Sequence, residues 1–167
     1  ILNRLHEGTP ARDAAIEALG RIGDSTLVDQ LVPYITDDDS LVAAAAMMAL
    51  WRSGGWSAAD SMAAVAMATT NRHVKWHGLY ALARGNRIEG KALYLSLLSD
   101  PDPEFRIWAY LGLGRSKDEP SIDRIATGLN DADDRVVAAA MTALAQFEDR
   151  GSSLVADKMP GIEDEKL

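Results

Sequence analysis

The chain contains no cysteine, which excludes disulfides and thiolate zinc sites as sources of stability. Histidine is scarce at three residues. No Ser-His-Asp order, phosphate-binding glycine loop or nucleophile elbow is present. Basic side chains are outnumbered, 17 against 25 acidic ones, for a net charge of -8. That balance works against general binding to nucleic acid or to an anionic membrane, since both would repel it. No apolar run approaches the roughly 18 residues of a membrane span. The first residue is Ile1, without a methionine or a signal-peptide pattern. The expectation is a chain that begins mid-sequence or after processing, and no compartment follows from it. What remains is a globular composition, 47% hydrophobic and 25% charged. Its 167 residues are enough to bury a core as a single domain over 1–167.

Within that composition one phrase recurs. Arg12-Asp13-Ala14-Ala15-Ile16-Glu17-Ala18-Leu19-Gly20-Arg21-Ile22-Gly23-Asp24 returns four more times, with small-Leu pairs at Ala18-Leu19, Ala49-Leu50, Ala81-Leu82, Gly112-Leu113 and Ala143-Leu144. The leucine spacings are 31, 32, 31 and 31, and near-equal intervals of this size mark a repeat architecture. Eight residues before each leucine stand Ala11, Val42, Val74, Phe105 and Val136. Four before it every residue is small: Ala15, Ala46, Gly78, Ala109 and Ala140. These offsets share one helical face, so each copy predicts an amphipathic helix whose small residues admit a close neighbour.

Stops follow at Gly23, Gly54-Gly55, Gly85-Asn86, Lys117-Asp118 and Glu148-Asp149. A second apolar stripe lies between copies, at Leu31/Ile35, Met62/Ala66, Tyr94/Leu98 and Ile125/Leu129. Each unit is therefore two antiparallel helices, an A helix leading through a turn into the B helix that carries the phrase. The turns Asp37-Asp38-Asp39-Ser40, Asp100-Pro101-Asp102-Pro103 and Asp131-Ala132-Asp133-Asp134 supply carboxylates to cap the next helix, and Thr69-Thr70-Asn71 does so without charge. The expected fold is all-α, an α-solenoid of stacked antiparallel helix pairs with about five repeats.

The strings Ala-Leu-Gly-Arg-Ile-Gly-Asp at 18–24 and Asp-Pro-Asp-Pro-Glu-Phe-Arg at 100–106 resemble HEAT repeats, in particular the short bacterial type also found in phycobilin lyase subunits. The resemblance covers nearly the whole chain and implies a fold more than a function. It also implies a basic ladder pairing with loop aspartates, which Arg12, Lys75 and Arg106 match while Ala43 and Val137 interrupt it. Ile1, Leu2 and Leu5 fit the end of a preceding A helix. Leu154–Ile162 echoes Leu27–Ile35, and the acidic tail 163–167 echoes a turn. The expectation is a piece of a longer array or multidomain protein.

Function has to come from positions that the fold leaves free. Offsets two, three and six before the leucine, and one after, are expected on the concave face. In copy one they are partly polar: Asp13, Ile16, Glu17 and Gly20. In copies two to four they are Ala44, Met47, Met48 and Trp51; Trp76, Leu79 and Tyr80; Ile107, Tyr110 and Leu111. A solvated face this apolar marks an interaction surface. The expected protein-binding residues are Met48, Trp51, Trp76, Tyr80, Ile107, Tyr110 and Leu111. If the face is displaced by one position, the same rings are core.

Arginine recurs two after the leucine, at Arg21, Arg52, Arg84 and Arg115, where a cation offsets the helix end. Residues 61–99 carry Arg72, Lys75, Arg84, Arg87 and Lys91 against Glu89, a net of +4, and with His73, His77, Trp76 and Tyr80 they open two alternatives, contact with an acidic protein or stacking on a nucleobase. His73 and His77 are spaced i,i+4 as metal ligands can be, but no carboxylate accompanies them. His6-Glu7 does not supply the several His-Glu pairs of a HEAT-type hydroxylase, so no cofactor or metal is expected. The leading expectation is a non-catalytic scaffold for another protein or another domain of its own polypeptide. An accessory domain of an enzyme, such as a lyase subunit or a peptidyl-prolyl isomerase fusion, is the alternative.

Overall fold

The computed structural model describes Leu5 and residues 11–158, and every regular element among them is helical. The fold is all-α, built from stacked antiparallel helix pairs of the α-solenoid class. Ile1, Leu2, His6, Glu7 and the residues beyond Lys158, including the end of the Leu154–Ile162 echo and the acidic tail, lie outside the described residues. The chain divides into two compact units, Ile1–Gly85 and Asn86–Leu167.

The first unit contains α1 (Arg12–Ile22), α2 (Val28–Leu31), α3 (Ser40–Arg52), α4 (Ala59–Ala68) and α5 (Arg72–Arg84). Here α1 packs on α3, α3 on α5, and α4 on α5. The second unit contains α6 (Lys91–Leu97), α7 (Pro103–Arg115), α8 (Ile122–Ala126), α9 (Asp134–Leu144) and α10 (Glu148–Lys158). There α6 packs on α7, and α9 packs on both α7 and α8. The B helices are α1, α3, α5, α7 and α9.

The turn chemistry repeats as closely as the hydrophobic pattern. Eleven residues before the leucine, Asp39, Asn71, Asp102 and Asp133 each accept a bond from a backbone N–H in the first turn of the next B helix, at 2.9–3.0 Å. Two residues earlier Asp37, Thr69, Asp100 and Asp131 accept from the backbone N–H of that capping residue. The cap is thus itself held in place, satisfying donors that a helix start leaves unpaired. Four residues after every leucine the backbone turns to positive φ: Gly23 at 70°, Gly54 at 67°, Asn86 at 57°, Lys117 at 51° and Glu148 at 49°. In the first four copies a 3₁₀ turn then opens the A helix, at Ser25–Leu27, Trp56–Ala58, Ile88–Gly90 and Glu119–Ser121. The fifth copy departs from this, passing through 3₁₀ residues Ala145–Phe147 directly into α10.

All five leucines are buried, and so are both residues of each second stripe. Small residues set the helix spacing. A methyl group on Gly20 would lie 2.6 Å from the Ala49 Cα, and one on Gly114 would lie 2.5 Å from the Ala143 Cα. The basic ladder forms in each unit by itself. The Arg12 guanidinium donates twice to Asp37 and that of Arg106 twice to Asp131, all at 2.8 Å. Each fork ties the start of one B helix to the turn before the next. Arg106 also donates to the carbonyl of Asp100 at 2.7 Å.

Two expectations need correction. Ala11 is exposed at the N-cap of α1, with φ of 63°, and is not a core residue. The offset three before the leucine is core: Ile16, Met47 and Leu79 are fully buried and Tyr110 is 3% exposed. A B helix packs on its own A helix and on neighbouring B helices, so its buried arc is wider than the single stripe assumed.

Candidate functional site

On α3 and α5 the face left over follows a cleaner spacing than the one read from the sequence: i, i+4, i+7, i+11. On α3 this is Leu41, Ala45, Met48 and Arg52, and on α5 it is His73, His77, Tyr80 and Arg84. None of these eight side chains is fully buried, and Leu41 is 54% exposed in the first turn of α3.

In the first unit the rings gather on this face. Trp76 and Tyr80, one turn apart on α5, stack with centroids 5.0 Å apart and planes 18° from parallel. Trp51 meets Tyr80 edge-on at 5.7 Å. All three rings are half-buried, as is Met48 beside them on α3. The guanidiniums of Arg52 and Arg84 lie 5.9 and 5.8 Å from the Trp51 centroid, within cation–π reach. Between α1, α3 and α5 a cavity of about 250 Å³ opens, with Leu41, Ala45 and Met48 as its apolar part. Asp13 and Glu17 flank it on the α1 side, and Arg52, His73 and His77 on the other.

His77 stands half-buried at this wall. Burial lowers its pKa, and the charges of His73 and Arg52 act in the same direction against the bond to the His73 carbonyl. That bond spans 2.8 Å from Nδ1. Among the described residues no group of three or more His, Asp or Glu side chains is placed to hold a metal.

The second unit is arranged differently. Ile107 and Leu111 are half-buried on α7. Tyr110 is not on that face. Its ring lies where a methyl group on Gly128 would come within 2.7 Å, and its hydroxyl is 3.2 Å from the Thr127 Oγ1. Tyr110 is therefore a correction to the expected set: at offset three its ring is packed and only 3% exposed, off the face expected for it. Trp108, which the sequence reading passed over, occupies the stripe position equivalent to His77 and carries Arg115 at 5.6 Å from its ring. The i, i+4, i+7 spacing from Glu104 through Trp108 to Leu111 was the signal available for it.

The cations of the basic stretch are divided between the two units. In the second unit Arg87 pairs with Glu89, and the Lys91 ammonium lies 2.8 Å from Asp118. Arg72, Lys75 and Arg84 belong to the first unit. The arginines two after the leucine do lie in the last turns of α1, α3, α5 and α7, as helix-end cations. Their side chains differ, however. Arg21 pairs with Glu17 at 2.6 Å, whereas Arg52, Arg84 and Arg115 lie on indoles.

A sequence profile of HEAT repeats matches residues 1–83 and 90–157. The chain belongs to the HEAT-repeat family. The described HEAT units also resemble the crystal structure of an engineered protein at 16% identity and a TM-score of 0.70, covering 94% of this chain and 83% of that one. At that identity the likeness concerns the fold alone. No curated protein matches the chain. No helix among the described residues is long and apolar enough to cross a membrane.

Proposed function

We propose that this HEAT-repeat chain is a non-catalytic scaffold that docks a segment of another protein, or of another domain of its own polypeptide, on the face of its first unit. The observation that carries this reading is the ring assembly Trp51–Tyr80–Trp76. These side chains are mutually packed at 5.7 and 5.0 Å yet half-exposed, so they are ordered in advance without filling a core. Pre-ordered aromatic rings lose little side-chain freedom when a partner arrives. Burying a large side chain is worth roughly 1.5–3 kcal/mol before association costs, so three rings and Met48 suffice for a modest partner. Ile107 and Leu111 in the second unit are offered as a separate, smaller contact.

The test is the double substitution Trp76→Ala with Tyr80→Ala in the full chain. The expected result is loss of partner capture with helical content retained and the thermal midpoint lowered by only several degrees. A collapse of the midpoint would assign those rings to the core and end the reading.

A further inference from the structure

The first unit treats its cations in two ways. Arg12 is held by Asp37 and Arg21 by Glu17. Arg52 and Arg84 have no carboxylate within ion-pair distance among the described residues, and both lie within cation–π reach of the same indole, Trp51, at 5.9 and 5.8 Å. This stands out in a chain with a net charge of -8, where acidic side chains are in excess. A guanidinium held near a ring keeps its N–H donors available, and those donors match a carboxylate two at a time. The neighbouring indole also narrows the space each arginine samples before binding.

The surroundings narrow the ligand further. Leu41 and Met48 line the adjoining cavity and suit an aliphatic side chain. Asp13 and Glu17 border the same cavity from α1, which opposes a continuous run of phosphates but leaves room for one or two carboxylates at the far side.

We propose that this site takes a short acidic peptide segment, an aliphatic side chain seated on Leu41 and Met48 and neighbouring Asp or Glu carboxylates paired with Arg52 and Arg84. The proposal rests on the docking reading above and adds the chemistry of the partner. The α1 wall sets the direction of the segment: its carboxylate lies toward α3 and α5, and a basic or amide-donating group lies toward Asp13 and Glu17.

Selection of short random peptides displayed on phage against the full chain tests this. Enriched sequences should carry Asp or Glu beside Leu, Ile or Val. As synthetic peptides they should bind about tenfold or more weakly to the Arg52→Gln/Arg84→Gln variant, the loss expected for charge-assisted hydrogen bonds. The Lys117→Gln/Arg124→Gln variant removes the same charge elsewhere and should bind as the parent does. Both variants should retain the parental circular dichroism. Peptides without acidic residues that still need Trp76 and Tyr80 would overturn the acidic specificity and leave the docking reading standing. Enrichment indifferent to both sets, or none at all, would overturn both. A single-stranded oligonucleotide that binds the same face more tightly than the peptides at physiological salt would overturn the proposal in favour of nucleic acid.

Discussion

Tyr80 in the first unit and Tyr110 in the second are the same residue type on equivalent helices, one register position apart. At offset two before the leucine, Tyr80 stays half-exposed and stacks on Trp76. At offset three, Tyr110 is 3% exposed and lies against Gly128. Tyr94 of the second unit likewise turns inward: it is fully buried, where methyl groups on Gly90 and Gly112 would strike its ring, and its hydroxyl donates to the Arg87 carbonyl at 2.8 Å. Burial raises the Tyr94 pKa well beyond the ordinary phenol range, so this ring stays neutral and structural. One unit spends its tyrosines on packing and matches them with glycines. The other leaves Trp51, Trp76 and Tyr80 half-exposed near Arg52 and Arg84, although its Trp56 lies against Gly85. What a ring does here is set by register and by whether a glycine faces it, not by its identity.

The widest separation expected from this contrast is in stability. Tyr110→Ala should cost about 3–5 kcal/mol, the range for emptying a buried aromatic site. Tyr80→Ala should cost about 0.5–1.5 kcal/mol, the value of a stacked pair with modest burial. Chemical denaturation of the two variants side by side gives both numbers. Equal losses would break the register rule.

Most of the fold was legible because it rests on what repeats. Leu50, Ala46 and Met62 follow from spacing alone, and so do caps such as Asp39 and Asn71. The site was less legible for a physical reason. A helix in a stack meets neighbours on more than one side, so the buried arc takes in offset three, and Met47, Leu79 and Tyr110 pass from the expected face to the core. Leu41 and Trp108 were missed because they lie a turn earlier on a stripe that the chosen offsets only partly followed. That two arginines from different helices would meet on Trp51 is a tertiary fact, with no trace in spacing.

The two units should behave alike where they are built alike. Asp131 is held below the ordinary carboxyl value near 3.8, first by hydrogen bonds from Arg106. At Asp37 burial pushes upward, but the bonds from Arg12 and the Asp39 backbone outweigh it. With the folded pKa below the unfolded one, the stabilisation is complete above about pH 3.8 and is lost as pH falls through the lower folded values. Arg106→Gln and Arg12→Gln should each cost about 1.5–3 kcal/mol at neutral pH, as hydrogen bonds to charged groups do. Each should also flatten the acid limb of the stability curve, measured by denaturant midpoints from neutral pH downward. A variant with an unchanged acid limb would show that its fork is only decorative.

A smaller and symmetrical effect is expected at the helix contacts. Gly20→Ala and Gly114→Ala each push a methyl group into the backbone of Ala49 or Ala143, at 2.6 and 2.5 Å. Overpacking of this kind costs about 1–3 kcal/mol, and replacing a helical glycine returns about 0.5–1. The net loss should be about 1–2 kcal/mol and similar in the two units. A gain at either position would mean that the neighbouring helix yields there.

The smallest effect separates the units at their helix stops. The backbone takes positive φ four residues after the leucine in every copy, but the first unit places Gly23 and Gly54 there and the second places Asn86, Lys117 and Glu148. A side chain in that conformation meets its own backbone, which glycine avoids. Lys117→Gly should therefore stabilise the second unit by up to about 1 kcal/mol, despite the added freedom of the unfolded chain. Gly54→Ala should cost the first unit about the same. A methyl group on Gly54 has no neighbour within 4 Å, so the loss there comes from the backbone alone. Paired melting curves read both. If Lys117→Gly instead lowers the midpoint, the Lys117 side chain stabilises this stop by more than its backbone strain, and the two units end their helices by different physics.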